Sequence, residues 1–278
     1  MQTILITGAT SGIGLEAGVA LARSGARVVL AGRDPARTAA AVNEVRKRAS
    51  GAAVDSVLGD FASQASIREM AQDVLARYDR LDVLVNNAGA VNASRTVTQD
   101  GIEATFAVNH LGPFLLTNLL LALLKRSAPA RIVNVSSDSH YRGTLDFDDL
   151  GYERGGYQIL SAYSRSKLAN VLFTRSLARR LNGSGVTANV LHPGTVATNI
   201  WSRAPWYARP VLALYKRFAM ISPPAGAKTI TYLAVSPQVD GTTGLYFENN
   251  KPKEPSKLAQ DDALAQRLWD ESARLVGI

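Results

Sequence analysis

The chain has 278 residues, enough for one large α/β domain or two small ones. It contains no cysteine, which excludes disulfides, thiolate metal sites and cysteine nucleophiles, and its three histidines, His110, His140 and His192, are too scattered for a zinc site. The 31 basic residues exceed the 23 acidic ones by 8, but they are spread along the sequence rather than gathered in a tail or finger, so no nucleic-acid partner is expected.

Apolar strand-like runs alternate with helical stretches. Thr3–Thr7 reads as a strand, followed by a glycine turn and a helix from about Gly14 to Ser24. Ala26–Ala31 and Val54–Gly59 read as strands, with helices at Pro35–Arg48 and Ser66–Tyr78. A fourth strand, Val83–Val85, precedes helices at Gly101–Asn109 and Gly112–Ala128. Arg131–Ser136, Val186–Leu191 and Leu245–Phe247 complete about seven strands, and a long helix spans Ala162–Leu181. The strands are continuous apolar runs, as expected when helices cover both faces of a sheet. Their βα order predicts an α/β fold with a Rossmann-like doubly wound parallel sheet. No repeat or linker divides the chain, so one domain over 1–278 is expected, with a substrate lid at about 197–224.

The opening apolar run enters a glycine turn by Gly8, too short for a secretory signal. The most apolar helical stretch, Leu115–Leu124, is too short to span a bilayer and reads as a core helix. A cytoplasmic location without a transmembrane anchor is expected; peripheral membrane contact stays open.

Ligands bind beyond the carboxyl ends of strands in such sheets. Thr7, Arg33, Asp60, Asn87, Ser137 and Pro193 all fall there. Thr7–Gly14, with Gly8, Thr10, Ser11, Gly12, Ile13 and Gly14, joins the first strand to the first helix, which suits close backbone approach to a pyrophosphate at a helix N-terminus. The second strand ends in Ala31-Gly32-Arg33-Asp34. An acid that would grip a ribose 2′-hydroxyl is replaced by Gly32, and Arg33 can pair a 2′-phosphate, so NADP is the expected cofactor. A shift of two residues would make Asp34 the acid and NAD the cofactor. Asp60, with Phe61 beside it, could meet the adenine, and Asp60 could equally cap a helix. Asn86-Asn87-Ala88-Gly89 could pass close to a ribose. Tyr163 and Lys167 stand one helical turn apart, where an ammonium would lower the phenol pKa toward use as an acid or base.

The order and spacing of Thr7–Gly14, Asn86–Gly89, Asn109, Ser136-Ser137, Tyr163–Lys167 and Pro193-Gly194 resemble the short-chain dehydrogenase/reductase family over essentially the whole chain. Leu145–Leu150, Ser166–Phe173, Leu191–Gly194, Lys253–Ser256 and Arg267–Trp269 are similar to its retinol dehydrogenase and WW-domain oxidoreductase subgroup. Many animal members begin with a membrane anchor, whereas this sequence starts directly on the first strand. The resemblance implies an NAD(P)-dependent oxidoreductase interconverting an alcohol and its aldehyde or ketone. Tyr163 would be the acid or base, and Lys167 would hold the nicotinamide ribose. Ser137 would bind the substrate oxygen, and Asn109 would place a water on a proton path. Pro193, Gly194, Val196 and Thr198 would lie along the nicotinamide. The 26-residue separation of Ser137 and Tyr163 exceeds the family's common spacing but matches the subgroup. Relatives form homodimers or homotetramers, and the aromatic residues of the lid suit an apolar, retinoid-, steroid- or lipid-like substrate. A non-catalytic dinucleotide-binding regulator and a nucleotide-sugar epimerase are the rival readings.

Overall fold

The computed structural model describes residues 1–196 and 221–278. Alternating βα segments build one α/β domain around an eight-stranded sheet. The strands are β1 (Thr3–Thr7), β2 (Arg27–Gly32), β3 (Val54–Leu58), β4 (Val83–Asn86), β5 (Ala130–Val135), β6 (Val186–His192), β7 (Tyr246–Glu248) and β8 (Lys251–Lys253). Their order is β3-β2-β1-β4-β5-β6-β7-β8. Every neighbouring pair is parallel except β7 with β8.

Because side chains alternate across a strand, one apolar run feeds two cores. Ile4 and Ile6 face one layer, where α1 (Gly12–Arg23) and α2 (Pro35–Arg48) pack, joined by α7 (Pro223–Val235). Leu5 faces the other, against α3 (Gln64–Arg77), α5 (Gly112–Arg126), α6 (Ile159–Arg180) and α8 (Asp262–Val276). Each fully buried Leu or Ile in these layers contributes about 1.5–3 kcal/mol. The doubly wound sheet is thus as the sequence predicts.

Most element ends shift by a residue or two from the sequence reading, which did not name α7 or α8, and further differences have a local cause. β8 adds an eighth strand, made by a two-residue turn in which Asn249 and Asn250 take φ of 50° and 62°. Both central residues of such a tight hairpin need the left-handed region, where asparagine is tolerated. Ile159, not Ala162, opens α6. The helix expected at Gly101–Asn109 starts at Ala104 as α4 (Ala104–Phe106), because the Glu103 carboxylate accepts from the Thr105 and Phe106 amides at 2.7 and 2.8 Å. A π-helical turn, Ala107–Leu111, then joins α4 to α5.

The continuous helical path Ala104–Arg126 covers 23 residues, long and apolar enough to cross a membrane by length and composition alone. Length therefore does not exclude a span as the shorter stretch suggested. Most of its apolar window is buried within the fold, as in a core helix.

His110 on the π turn is fully buried and meets Ser272 Oγ of α8 at 2.8 Å through Nε2. Burial pushes its pKa down to about 3, opposed by the Asn170 side chain. A base held neutral in the fold binds fewer protons than in the unfolded chain between about pH 3 and 6.5. Stability from this group is therefore present above about pH 6.5 and lost as pH falls toward 3. Urea unfolding at pH 7 and pH 4 should show the wild type losing on the order of 3 kcal/mol more than His110→Gln on acidification. Equal losses would remove His110 from the acid response.

Candidate active site

The site lies along the carboxyl ends of β1, β2, β4, β5 and β6. Ser11 caps α1 in an extended conformation, with its side chain making no capping hydrogen bond and no acid in the first turn. That leaves the positive end of a 12-residue helix facing the β1 turn. Gly14 is needed there because of close approach. A Cβ would stand 2.5 Å from Asn87 Nδ2 and 2.6 Å from the Gly8 carbonyl oxygen.

The β4 end is laced to this turn. Asn87 Nδ2 donates to the Thr7 and Gly8 carbonyls at 2.9 and 3.1 Å, and the Asn87 and Ala88 amides both donate to Thr7 Oγ1 at 3.0 Å. Asn87 Oδ1 is buried with no hydrogen-bond partner among the described residues. An uncapped helix start beside an orphaned amide oxygen fits the phosphates and ribose of a dinucleotide.

At the end of β2 an acid is sterically shut out. A Cβ on Gly32 would lie 2.3 Å from Thr38 Oγ1 and 2.6 Å from Thr10 Cγ2. Thr38 is pinned by donating to the Asp34 carbonyl at 2.7 Å. Asp34 caps α2, its Oδ1 accepting from the Arg37 amide at 2.8 Å. Arg33 beside them is exposed.

Asp60 does not cap α3. Ser63 does, accepting from the Ser66 amide at 3.3 Å, while Asp60 Oδ1 accepts from the Ala62 amide at 3.0 Å. The Phe61 ring turns inward against Gly112 at the start of α5, so only its backbone is offered to the surface. After β6, Val196 and Ile13 both crowd the α carbon of Gly226, which draws the Pro193–Val196 segment over the glycine turn. Thr198 and the body of the expected lid lie outside the described residues.

Helix α6 brings Tyr163 and Lys167 onto the end of β5. Lys167 Nζ donates to the Val135 carbonyl at 3.0 Å, and Ser136 Oγ returns a bond to the Lys167 carbonyl at 2.8 Å. A Cβ on Gly89 would sit 3.7 Å from Lys167 Nζ and 3.5 Å from Asn109 Oδ1, so these three residues converge. Asn109 is fully buried. Its amide donates to the Ala90 carbonyl and Ser166 Oγ, both at 3.0 Å, and its Oδ1 accepts from the Ala90 amide at 2.7 Å. Those bonds hold the π turn against the β4 loop.

Ser137 Oγ is hydrogen-bonded to the Tyr163 phenol and donates to Asp138 Oδ1 at 2.9 Å. The electrostatics run opposite to the sequence expectation. Burial pushes the Tyr163 phenol up to about 12, against the opposing pull of the Ser137 hydroxyl, and pushes Lys167 down to about 8. The Lys167 ammonium lies 5.5 Å from the centroid of the Tyr163 ring. Desolvation is the leading cause of both shifts and works against the charged form of each group.

The sequence reading missed a second tier of residues. Asn86 Nδ2 donates to Thr117 Oγ1 and Asn134 Oδ1 at 2.9 and 2.8 Å, and Asn134 passes the chain on to Thr174 at 2.8 Å. This buried ladder ties β4, β5, α5 and α6 together beneath the site. His140 and His192, read as loop and packing residues, are both buried and both grip the Ser137 loop. His140 Nδ1 meets the Ser137 carbonyl at 2.7 Å, and His192 Nδ1 accepts from the Asp138 amide at 3.2 Å. Their position at a strand end, for His192, and in the turn that follows one, for His140, was the available signal.

The 26-residue separation of Ser137 and Tyr163 is occupied by an anchored flap. Arg165 on α6 donates to the Asp149 and Leu150 carbonyls at 2.7 and 2.8 Å and stacks over Tyr152 at 3.9 Å.

A short chain dehydrogenase family model matches residues 2–206. The chain belongs to the short-chain dehydrogenase/reductase family. It is an NAD(P)-dependent oxidoreductase acting on CH–OH groups, and its relatives are retinol dehydrogenase-like. Mouse retinol dehydrogenase 14 is 48% identical over 100% of this chain and 86% of its own length. Human retinol dehydrogenase 13 is 44% identical, covering 100% and 85% respectively. A crystal structure of a single-substitution variant of actinorhodin polyketide ketoreductase with NADPH superposes with a TM-score of 0.71 at 27% identity, covering 88% of this chain and 94% of that one.

Proposed function

We propose that this short-chain dehydrogenase/reductase is NADP-dependent and interconverts an alcohol and its carbonyl on an apolar, retinoid-, steroid- or lipid-like substrate. The observation that carries the reading is the buried Tyr163–Ser137 hydroxyl pair at the end of β5, with Lys167 one turn further along α6. When bound, the nicotinamide supplies or accepts the hydride. Tyr163, neutral because buried, donates its proton to the carbonyl oxygen in reduction and takes it back in oxidation. Ser137 donates to the same oxygen as charge develops on it. Lys167 would hold the ribose hydroxyls, and Asn109 keeps the π turn in place beside it.

Gly32 supports the choice of NADP. Its closed position leaves no room for an acid, Asp34 is committed to its helix cap, and Arg33 remains exposed. A charge-assisted bond to a 2′-phosphate is worth about 1.5–3 kcal/mol. Arg33→Ala should therefore raise KM for NADPH by about 10- to 100-fold while changing KM for NADH less than about threefold. Equal losses with both cofactors would refute the 2′-phosphate role.

Three exposed apolar side chains support the substrate class. Leu160 stands one turn before Tyr163, Tyr141 follows the Ser137 loop, and Ile221 belongs to the described end of the expected lid. The relatives named retinol dehydrogenase and polyketide ketoreductase fit a large apolar carbonyl. Retinal, a ketosteroid, a medium-chain aldehyde and a charged sugar, each followed by NADPH absorbance, test it. Turnover of the sugar alone would overturn the apolar assignment. We propose a cytoplasmic location, supported by the burial in the core of the one such apolar helical path among the described residues. Recovery of the protein in a washed membrane pellet would overturn it.

A further inference from the structure

We propose that Arg46 and Arg77 seal the free edge of β3 and thereby keep a second copy of this chain from extending the sheet. Among the described strands β3 pairs with β2 alone and ends the sheet on that side. An edge strand offers its unpaired backbone groups to any strand that comes alongside. Which groups these are follows from the ladder. The Ala53 carbonyl accepts from the Val28 amide at 2.9 Å, and the Gly59 amide donates to the Gly32 carbonyl at 3.0 Å. Backbone groups alternate in direction along a strand, so the odd-numbered residues of β3 face β2. The amides and carbonyls of Val54, Ser56 and Leu58 therefore point outward.

Two of those outward carbonyls are taken by arginines that reach the edge from the two helical layers. Arg46 Nη2, from the last turn of α2, donates to the Val54 carbonyl at 2.6 Å. Arg77 Nη1, from the end of α3 on the other layer, donates to the Ser56 carbonyl at 2.9 Å. Arg77 is itself held in place. Its Nη1 also meets Asp73 Oδ2 at 2.9 Å, and its Nη2 donates to the Tyr78 hydroxyl at 3.2 Å, which donates to Asp55 Oδ2 at 3.2 Å. The far edge is closed by other means. Pro252 of β8 stands opposite Phe247. In a hairpin closed by a two-residue turn the closing pair, Glu248 with Lys251, carries the hydrogen bonds, so the next pair turns its backbone groups outward. Pro252 has no N–H to offer there, and exposed Lys251 and Lys253 flank it.

The excluded partner is a second copy because the β3 edge is self-complementary. A twofold axis at Ser56 would lay two β3 strands antiparallel, with Ser56 opposite Ser56 and Val54 of one copy opposite Leu58 of the other. All the outward residues would then fall in hydrogen-bonded pairs. Leu58, a large apolar side chain 47% exposed on this edge, would gain cover. The two guanidinium groups oppose that pairing. They occupy the acceptors that the other strand needs, and each copy would bring its own pair of positive charges to the same seam.

Sedimentation velocity tests this on the wild type, on the double variant Arg46→Met/Arg77→Met, and on the same double variant carrying Ser56→Pro. Methionine keeps an aliphatic stem and removes both the donors and the charge. The double variant should form a species of about twice the wild-type mass that grows with concentration, with unchanged circular dichroism. Ser56→Pro removes the central outward N–H without breaking a bond to β2, and it should return the mass to the wild-type value. A folded double variant with the wild-type mass at every concentration would overturn the proposal. So would an association that Ser56→Pro does not reverse. If the double variant does not fold, the single variants Arg46→Met and Arg77→Met carry the same two outcomes.

Discussion

Tyr163→Phe is expected to lower turnover of any accepted carbonyl by about 10³-fold or more, with NADPH affinity changed less than about twofold. The substitution removes one oxygen and keeps the ring that packs beside Ala162 and Lys167 on α6. The hydrogen bond to Ser137 is lost, but Ser137 retains Asp138 as an acceptor, so no buried donor is stranded. Stopped-flow or steady-state absorbance measures the rate, and fluorescence titration measures the cofactor. Turnover within about tenfold of wild type would show that the phenol does not transfer the proton and would favour a dinucleotide-binding regulator. The pH dependence adds a sign. A phenol raised to about 12 is protonated throughout the working range, so reduction should be nearly flat in pH. Oxidation, which needs the ionised form, should speed up with rising pH, and that slope should vanish in the variant.

Gly14→Ala is expected to weaken cofactor binding by about 100-fold and to destabilise the fold by about 1–3 kcal/mol. The added methyl has no flexible neighbour to push aside. The Gly8 carbonyl is backbone, and Asn87 Nδ2 is held by two bonds to the β1 turn. Relief requires parting the β1 and β4 ends, which are the two elements that frame the expected phosphate and ribose contacts. Calorimetric titration with NADPH and thermal unfolding would measure the two effects together. Wild-type affinity in the variant would show that this approach does not shape the cofactor site.

The glycine turn, the strand ends and the Tyr163–Lys167 spacing were legible because each is a short-range pattern. Strand periodicity, a β-to-α turn and one helical step are written in consecutive residues. What was not legible depends on partners far apart in the chain. The Asn86–Asn134–Thr174 ladder joins three segments, and each residue alone reads as an ordinary polar interruption. His140 and His192 show no role until β6 is laid beside β5. The sign of the Tyr163 shift was missed for the same reason. Spacing reports that an ammonium is near, but only packing shows how completely both groups lose water. Glu103 as a helix cap, and the hairpin at Asn249–Asn250, left local signals that broader apolar patterning hid.

Helix α8 braces the back of α6, with Trp269 against Phe114 and Phe173 at 4.9 and 5.9 Å, Arg180 over the Trp269 ring at 4.2 Å, and Ser272 bonded to His110. The bracing residues lie far along the chain from those they hold, Ser272 standing 162 positions from His110. A change on α8 therefore reaches the Tyr163–Lys167 step only through the seating of α6 and the π turn.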